Sequence, residues 1–239
     1  MTASFSSFAA SYPWQINTGA LYSTGYDDTL NATSQWQMLP FALKYHASSW
    51  SVQLAGSYLL ADNVNELDQN SYSGFGDTQF KVSYLLSKPL FSSWWVDINA
   101  KIKIPTADNH SGVGTGEVDY WFDVDALRML SKRYFVQLNG GKKLRGESVE
   151  LSLSDSFYFS SSLGAQLSEL GSMGAIVEYM EPASDWSEEV IELMFYGSYR
   201  LNAQNTVLLY VIKGFTHSSI DYGAGLQLSY RLGHKATVN

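Results

Sequence analysis

The chain has 239 residues, of which 45% are hydrophobic, 15% aromatic and 16% charged, and its formal net charge is −8. This length suffices for a large core, and the negative charge without any basic stripe disfavours nucleic acid as a partner. No apolar run approaches the roughly 20 residues of a transmembrane helix, and the mean hydropathy is −0.13. Because cysteine is absent, disulfides and thiolate chemistry are excluded, which suits passage through an oxidising periplasm.

The N-terminal residues 1–8 lack the basic and apolar regions of a secretory signal. We therefore expect the mature form of an exported protein, with a cytoplasmic protein as the competing interpretation. The expected organisation is an N-terminal periplasmic segment over residues 1–12, a single transmembrane β-barrel over 13–232 and a C-terminal tail over 233–239.

Strict alternation of apolar and polar residues is the main structural signal, and residues 94–104 show it most clearly. There Ile98 and Ile102 share one face while Asp97 and Lys101 share the other, because successive side chains of a strand point to opposite sides. Pro40 is expected to mark a bulge or irregularity. Similar segments predict about twelve strands, over residues 14–24, 35–45, 50–60, 77–86, 94–104, 117–128, 134–145, 156–167, 173–180, 190–201, 206–213 and 222–232.

The connections between these strands alternate in length. Short turns are predicted at residues 46–49, 87–93, 130–133, 168–172 and 202–205. Longer polar loops are predicted at residues 25–33, 61–76, 105–116, 146–155, 181–189 and 214–221. Outer-membrane barrels have short periplasmic turns, long extracellular loops and an even number of strands. The pattern therefore predicts an all-β fold, a closed antiparallel transmembrane β-barrel.

Aromatic residues stand where two membrane interfaces would lie. They are Trp14, Trp50, Trp94 and Tyr134 on the turn side, and Tyr22, Tyr58, Tyr120, Phe157 and Tyr179 on the loop side. The alternative is a soluble β-sandwich or lipocalin-like barrel. Its solvent face should carry Lys, Glu and Thr, whereas here the face opposite the apolar one is rich in Ser, Gly, Gln and Asn, as in a wet lumen. The last strand, 222–232, is similar to the C-terminal assembly signal of outer-membrane barrels, although Leu232 replaces the usual aromatic residue and residues 233–239 follow.

Three Gly/Asp-containing segments follow one another along the chain: residues 74–78 (GFGDT), 101–108 (KIKIPTAD) and 112–119 (GVGTGEVD). In order and spacing they resemble the GxGD, KxPTGD and GTGxxD motifs of outer-membrane proteins attributed to the phenol meta-degradation pathway, a transporter-like family. Ala107 stands where the family usually has Gly. The resemblance covers roughly residues 74–232, and it implies passage of aromatic or other small hydrophobic compounds across the outer membrane.

The glycines of the third segment have a local explanation, since Gly112, Gly114 and Gly116 permit positive φ in a loop. A dinucleotide-binding site is disfavoured because a strand, and not a helix, follows. Asp77 and Asp119 could cap turns, bind a divalent cation or bias a pore mouth, and turn capping is the favoured interpretation.

The polar face of the barrel is the expected site of function. If the predicted strands 94–104, 117–128 and 134–145 are neighbours, opposite charges alternate across them. Such charges either cross-link the wall as ion pairs or form a constriction that selects permeants. The predicted pore-lining residues are Asp97, Lys101, Lys103, Asp119, Trp121, Asp123, Asp125, Lys143, Arg145, Glu178, Glu192, Arg200 and Arg231.

The number of strands limits the width of the lumen. Eight strands leave an interior filled by side chains and about sixteen leave an open channel, so about twelve predict a narrow pore. We expect inner side chains such as Trp121, Phe135 and Tyr158, or a folded-in loop, to occlude it in part.

Catalysis is not expected. The candidate nucleophile–base pairs are His110 with Ser111, and His217 with Ser219 near Asp221, all in predicted loops. Four scattered histidines offer no metal cluster, and no cofactor is expected.

The sequence therefore predicts a monomeric β-barrel of the Gram-negative outer membrane, in contact with the lipid bilayer and lipopolysaccharide, which acts as a narrow channel for small molecules. The alternatives are a plugged structural or receptor barrel that binds a partner through its loops, the acidic loop 61–76 among them, and a barrel lipid hydrolase.

Overall fold

The computed structural model describes residues 12–27, 32–64, 69–86, 93–108, 116–146 and 153–233. In these ranges no helix is long and apolar enough to cross a bilayer. The strands are β1 (Trp14–Asp27), β2 (Ala32–His46), β3 (Trp50–Val64), β4 (Gln69–Phe75), β5 (Thr78–Leu85), β6 (Trp95–Ile104), β7 (Asp119–Met129), β8 (Tyr134–Leu144), β9 (Ser156–Gln166), β10 (Gly171–Met180), β11 (Val190–Arg200), β12 (Asn205–Gly214) and β13 (Tyr222–Leu232).

These strands form one closed antiparallel barrel. Consecutive strands pair with each other except β4 and β5, and β1 pairs with β13 from Trp14 opposite Leu232 to Thr24 opposite Tyr222. Both β4 and β5 pair with β3, so they are two halves of one wall strand, interrupted at Gly76 and Asp77. The predicted closed barrel of about twelve strands is confirmed.

The two faces of the wall differ in chemistry. On β7, Tyr120, Phe122 and Val124 are 45%, 53% and 48% exposed, whereas Asp119, which precedes them and points to the opposite face, is only 4% exposed. The same alternation recurs around the barrel and defines an apolar outer face and a polar inner face. A closed barrel whose outer face is apolar satisfies its backbone internally, as a membrane-spanning sheet must.

Aromatic side chains are exposed at both ends of the outer face, as predicted. Trp14, Trp50 and Tyr134 lie at the turn end, with Tyr22, Tyr120, Phe157 and Tyr179 at the loop end. Tyr58, also predicted there, is only half-buried, and its ring centroid lies 5.2 Å from that of Phe75. Trp94 departs from the prediction: it is half-buried, because the Arg128 guanidinium lies 5.8 Å from its ring centroid. Its neighbour Trp95 is the exposed one, at 41%.

One predicted loop is mostly strand. Residues 61–76 continue β3 as far as Val64 and return along β4, with Asp62 opposite Ser71. Their side chains are hydrogen-bonded, Ser71 Oγ lying 2.6 Å from Asp62 Oδ1. The hairpin was not predicted because its sequence is largely polar and shows no apolar alternation. Backbone hydrogen bonds between β3 and β4 form it. Residues 25–33 were also predicted as a loop, but β1 extends to Asp27 and β2 begins at Ala32.

The predicted irregularity at Pro40 is confirmed as a gap in the ladder. Thr18 faces Phe41 and Leu21 faces Met38, but the intervening residues of β1 and β2 are not paired. The same number of residues intervenes on each strand, so the gap is not a bulge. Pro40 has no N–H to donate, which explains the missing pairing.

Rings cover glycines on neighbouring strands of the inner face. Phe135 lies directly opposite Gly164, Tyr196 opposite Gly174 and Tyr210 opposite Gly225. A Cβ atom at each of these glycines would overlap the opposing ring, so each ring lies flat on the wall. This is the aromatic rescue of strand glycines. Phe135 was expected to narrow the lumen. It is only 3% exposed and packs flat on the wall, so that expectation is wrong.

Candidate functional site: the charged inner face

The predicted lining residues occupy the inner face. All of them except Arg145 stand at strand positions that alternate with the exposed apolar ones. Arg145 directly follows β8, and its Nη1 donates to the Ser154 carbonyl at 2.5 Å and to the Ser156 hydroxyl at 2.6 Å. Whether these residues line a permeation path stays a prediction.

Four charged side chains form a cluster near the long loops, which we call the loop-end cluster: Asp77, Lys103, Asp119 and Lys143. Lys103 Nζ lies 3.3 Å from Asp77 and 3.1 Å from Asp119, and Lys143 Nζ lies 3.3 Å from Asp119. The side chains of Lys103, Asp77 and Asp119 are at most 10% exposed. The cluster therefore joins β5, β6, β7 and β8 through charge-assisted bonds.

The carboxylates of this cluster also hold the backbone beyond the strands. Asp77 accepts from the backbone N–H of Ala107 at 3.1 Å, and Asp119 accepts from that of Gly146 at 3.2 Å. The capping role favoured for both residues is confirmed. The three sequence segments 74–78, 101–108 and 112–119 thus contribute one charged residue each to a single cluster. Gly116 has a positive φ of 72°, as predicted, while Gly112 and Gly114 lie outside the described residues.

Trp121 lies between two lysine ammonium groups. Lys101 Nζ is 3.9 Å and Lys143 Nζ 4.8 Å from its ring centroid. Cations within about 6 Å of an indole ring are attracted by its π-face. The ring is held in place by these contacts at the level of Lys101.

Asp123 and Asp125 are held by neutral donors. Asp123 accepts from Asn99 at 2.6 Å, from Asn139 at 2.8 Å and from the Tyr158 hydroxyl at 3.1 Å. Both oxygens of Asp125 lie 2.8 Å from Gln137 Nε2. Tyr158, predicted to narrow the lumen, therefore ties β9 to β7 through this carboxylate.

The strand register differs from the expected alternation of opposite charges. Lys103 does face Asp119, but Asp97 faces Asp125 and Lys101 faces Trp121. The neighbour relation was predicted correctly and the register was not, because alternation fixes the face of a residue but not its cross-strand partner.

Two inner lysines were missed by the sequence analysis. Lys81 lies directly opposite Lys101, and Lys44 lies between Gln15 and Gln53 on the adjacent strands. The sequence could have identified both as inward-facing, because each lysine lies between two apolar residues of an alternating strand. Lys44 lies between Leu43 and Tyr45, and Lys81 lies between Phe80 and Val82.

The remaining predicted lining residues lie on other strands. Glu178 and Glu192 face each other on β10 and β11, and Glu192 Oε1 accepts from the Ile220 backbone at 3.3 Å. Arg200 faces Thr206 and Arg231 faces Gln15, both at the turn end.

The His217–Ser219 pair is used in a loop contact. His217 Nδ1 lies 3.2 Å from Glu188 Oε1, and the His217 backbone donates to Glu188 Oε2 at 3.0 Å, which lowers the pKa of Glu188. Ser219 Oγ donates to the Ile191 carbonyl at 3.1 Å and is only 5% exposed. This arrangement fastens two loops and does not present a nucleophile.

The second histidine–serine pair, His110 and Ser111, lies outside the described residues. In the part of the chain that the structure describes, no three His, Asp or Glu side chains are arranged to hold a metal ion.

Comparisons with known proteins bear on the fold. No family model matches the sequence, and no curated protein matches it. Among solved structures, the COG4313 outer membrane channel from Pseudomonas putida F1 superposes with a TM-score of 0.78 at 9% identity, over 92% of this chain and 96% of that one. The KdgM porin superposes with a TM-score of 0.59 at 9% identity, over 91% of this chain and 99% of that one. CymD, a monoaromatic hydrocarbon channel, gives a TM-score of 0.50 at 11% identity, over 94% of this chain and 89% of that one. The protein therefore shares the barrel fold of outer-membrane channels.

Proposed function

We propose that the protein is a narrow channel of the bacterial outer membrane that passes small molecules. The observation that carries the proposal is the contrast between the faces of the closed wall, with exposed aromatic and aliphatic residues outside and charged, hydrogen-bonded residues inside. Charged groups inside a barrel need water or an opposite charge. An inner face of this kind is suited to a hydrated path.

The width of the path follows from the size of the barrel. Twelve wall strands lie between the eight that side chains fill and the sixteen of open porins. Several inward side chains are long, including Lys81, Lys101 and Tyr158, so they reduce the open cross-section. We infer a path for single small molecules and not a wide aqueous pore.

Aromatic or hydrophobic permeants are the finer part of the proposal. They are supported by the resemblance of residues 74–119 to motifs of the phenol meta-degradation proteins and by the fold shared with a monoaromatic hydrocarbon channel. The described inner face itself favours polar permeants, because lysines and carboxylates stand on it among Ser, Gln and Asn residues.

Single-channel recording in planar bilayers tests the proposal, with aromatic acids and neutral phenols added as blockers. We expect a small conductance in wild-type protein and a changed conductance or ion selectivity in Lys101→Ala, because the Lys101 ammonium lies on the Trp121 ring and takes no part in the ion pairs of the loop-end cluster. Block by the aromatic compounds would support aromatic permeants.

The matched control is Lys142→Ala, since Lys142 lies on the outer face, where it pairs with Asp155. It should leave conductance unchanged. Absence of conductance from a folded, heat-modifiable barrel would contradict the channel function and favour a plugged receptor barrel. Equal conductance and selectivity in wild type and Lys101→Ala would exclude a role for the lysines in selection.

A further inference from the structure

The strand register arranges the inner cations in one continuous row. Following direct cross-strand partners from β13 through β1, β2, β3, β5, β6 and β7 to β8, each step connects two inward residues. The basic row contains five cations and no carboxylate. Its members are Arg231, Gln15, Lys44, Gln53, Lys81, Lys101, Trp121 and Lys143.

Four inner carboxylates form a second row in the same way, while Asp77, Asp119 and Asp123 lie outside it. It runs from β6 through β7, β8, β9 and β10 to β11 and contains no cation. The members of this acidic row are Asp97, Asp125, Asn139, Ser160, Glu178 and Glu192.

Both rows climb the lumen from one end to the other. Strands of a closed barrel are tilted, so a row of direct partners rises along the barrel axis as it goes around. The basic row starts at Arg231, beside the turn end of β13, and reaches Lys143 near the long loops. The acidic row starts at Asp97, near the turn end of β6, and reaches Glu192 at the loop end of β11. Where the rows share a strand, they are four residues apart, as Asp97 and Lys101 are, or roughly 13 Å along the strand.

This segregation costs stability. Like charges directly opposite one another destabilise a sheet, and the rows contain three such pairs: Lys81 with Lys101, Asp97 with Asp125, and Glu178 with Glu192. If these charged residues served only to fill the interior of the barrel, oppositely charged residues could face each other, as Lys103 and Asp119 do. Costs of this kind concentrate where a protein meets its ligand.

The central lysines are also not neutralised by direct ion pairs. Lys44, Lys81 and Lys101 form no salt bridge with a carboxylate of the described ranges, whereas Lys103 and Lys143 do. Asp97 lies within electrostatic range of Lys44 and Lys81, so the charges of the two rows act on each other inside the lumen.

Two parallel rows of opposite sign act differently on different solutes. For a solute with one charge, attraction to one row is offset by repulsion from the other. For a solute with both charges, the two attractions add, provided that each end points to the row of opposite sign. The field between the rows therefore orients and retains dipolar solutes.

We propose, on the basis of the channel function above, that the preferred permeants are small zwitterions, molecules that carry an ammonium-type and a carboxylate-type group. The basic row receives the anionic end and the acidic row the cationic end. Because both rows extend along the lumen, the two contacts pass from one pair of side chains to the next as the solute advances.

The test compares glycine with its uncharged isomer glycolamide in swelling assays on liposomes that contain the folded barrel, with protein-free liposomes as the blank. We expect glycine to enter faster by roughly threefold or more, which corresponds to about 0.65 kcal/mol. In a KCl gradient, the wild-type barrel should show a reversal potential near zero, because the two rows offset each other for single ions.

Two double variants separate the rows. Lys81→Gln with Lys101→Gln should remove the preference for glycine and make the barrel cation-selective. Glu178→Gln with Glu192→Gln should remove the same preference and make it anion-selective. Each pair relieves a like-charge repulsion, so folding is retained, and Lys142→Gln on the outer face is the matched control that should change neither readout.

The outcomes distinguish this inference from the channel function. Equal entry of glycine and glycolamide through a barrel that conducts KCl would overturn the zwitterion preference and leave the channel standing. Strong wild-type selectivity for one sign of ion would overturn it as well. If neither solute enters and KCl is not conducted, the channel function fails and this inference with it.

Discussion

Two sectors of the inner face hold their strands together by different means. In the sector from β5 to β9, charged groups join the strands, through the loop-end cluster and through Asp123 with its three donors. In the sector from β10 to β13, Tyr196 and Tyr210 lie on Gly174 and Gly225. The first sector ties its strands through charged groups at the cost of desolvation. The second sector also carries inward charges, Glu178, Glu192, Arg200 and Arg231, but its rings cover strand glycines. The comparison indicates that ion pairs and charge-assisted hydrogen bonds join the strands mainly in the first sector.

The largest expected effect of a single substitution is that of Lys103→Ala. It leaves the carboxylates of Asp77 and Asp119, whose side chains are 8% and 6% exposed, without their shared cation. Removal of one partner of a buried ion pair costs about 3–5 kcal/mol. Guanidinium unfolding of the barrel in lipid or detergent, followed by tryptophan fluorescence, would measure this loss.

The control for this substitution is Lys142→Ala, whose pair with Asp155 is exposed, with 40% and 39% of the two side chains accessible. Exposed pairs contribute little, so its free energy of unfolding should stay near the wild-type value. Equal losses in both variants would show that the loop-end cluster adds nothing beyond a surface ion pair.

Substitutions at two glycines, one in each sector, test the difference in packing between the sectors. A Cβ atom at Gly141 on β8 would overlap the Phe122 carbonyl and Asp123, whereas one at Gly197 on β11 would meet no atom within 4 Å. Since the obstruction at Gly141 includes backbone, Gly141→Ala should lower the free energy of unfolding by about 1–3 kcal/mol. Gly197→Ala should leave it unchanged or raise it. The heat-modifiability of the two variants on gels gives a rapid readout, and identical transitions would contradict the predicted difference in packing.

Removing single hydroxyl groups should have a smaller effect. Tyr158→Phe deletes one of the three hydrogen bonds to Asp123, and we expect a loss of about 1 kcal/mol. Tyr210→Phe keeps the ring on Gly225 and should cost less, because the ring and not the hydroxyl covers the glycine. Denaturation midpoints of both variants, compared in the same lipid, test this order, and a larger loss in Tyr210→Phe would reverse the assignment of the two sectors.

The smallest effect concerns pH and the loops above β10 to β13. The hydrogen bond that the His217 backbone donates to Glu188 lowers the pKa of Glu188 in the folded protein. A carboxyl whose folded pKa is lowered stabilises the fold above its unfolded pKa and loses that contribution as the pH falls through the folded pKa. We expect hydrogen-exchange protection of the His217 amide to fall in this acidic window. Glu188→Gln should abolish the pH dependence, and protection that changes equally in the variant would assign it to another group.

The fold was predictable from the sequence because two independent regularities agreed. Alternation identified the faces, as on β7 where Asp119, Trp121 and Asp123 lie inward, and the short and long connections identified the order of strands. The hairpin of β3 and β4 was not predictable, since its polar residues carry no period. The position of the irregularity at Pro40 was predictable, but the sequence did not show whether it would be a bulge or a gap in the ladder.

For the candidate site, the sequence predicted which residues point inward but not which residues contact one another. The inward positions of Lys101 and Asp125 followed from alternation, but their partners depend on register, which turn geometry and the whole sheet fix together. For this reason the expected alternation of charges was wrong for Asp97 and Asp125. The capping of Ala107 by Asp77 was predictable because a carboxylate at a strand end commonly accepts from the nearby backbone.

The seam between β1 and β13 also determines how the barrel is made. Trp14 meets Leu232, so closure of the barrel joins two strands separated by nearly all of the chain, and a chain in which this seam is open has two unpaired edges. Unpaired edges recruit other strands and lead to aggregation, and contacts this remote in sequence form slowly. A chain whose seam has not yet closed is therefore exposed to aggregation at both edges.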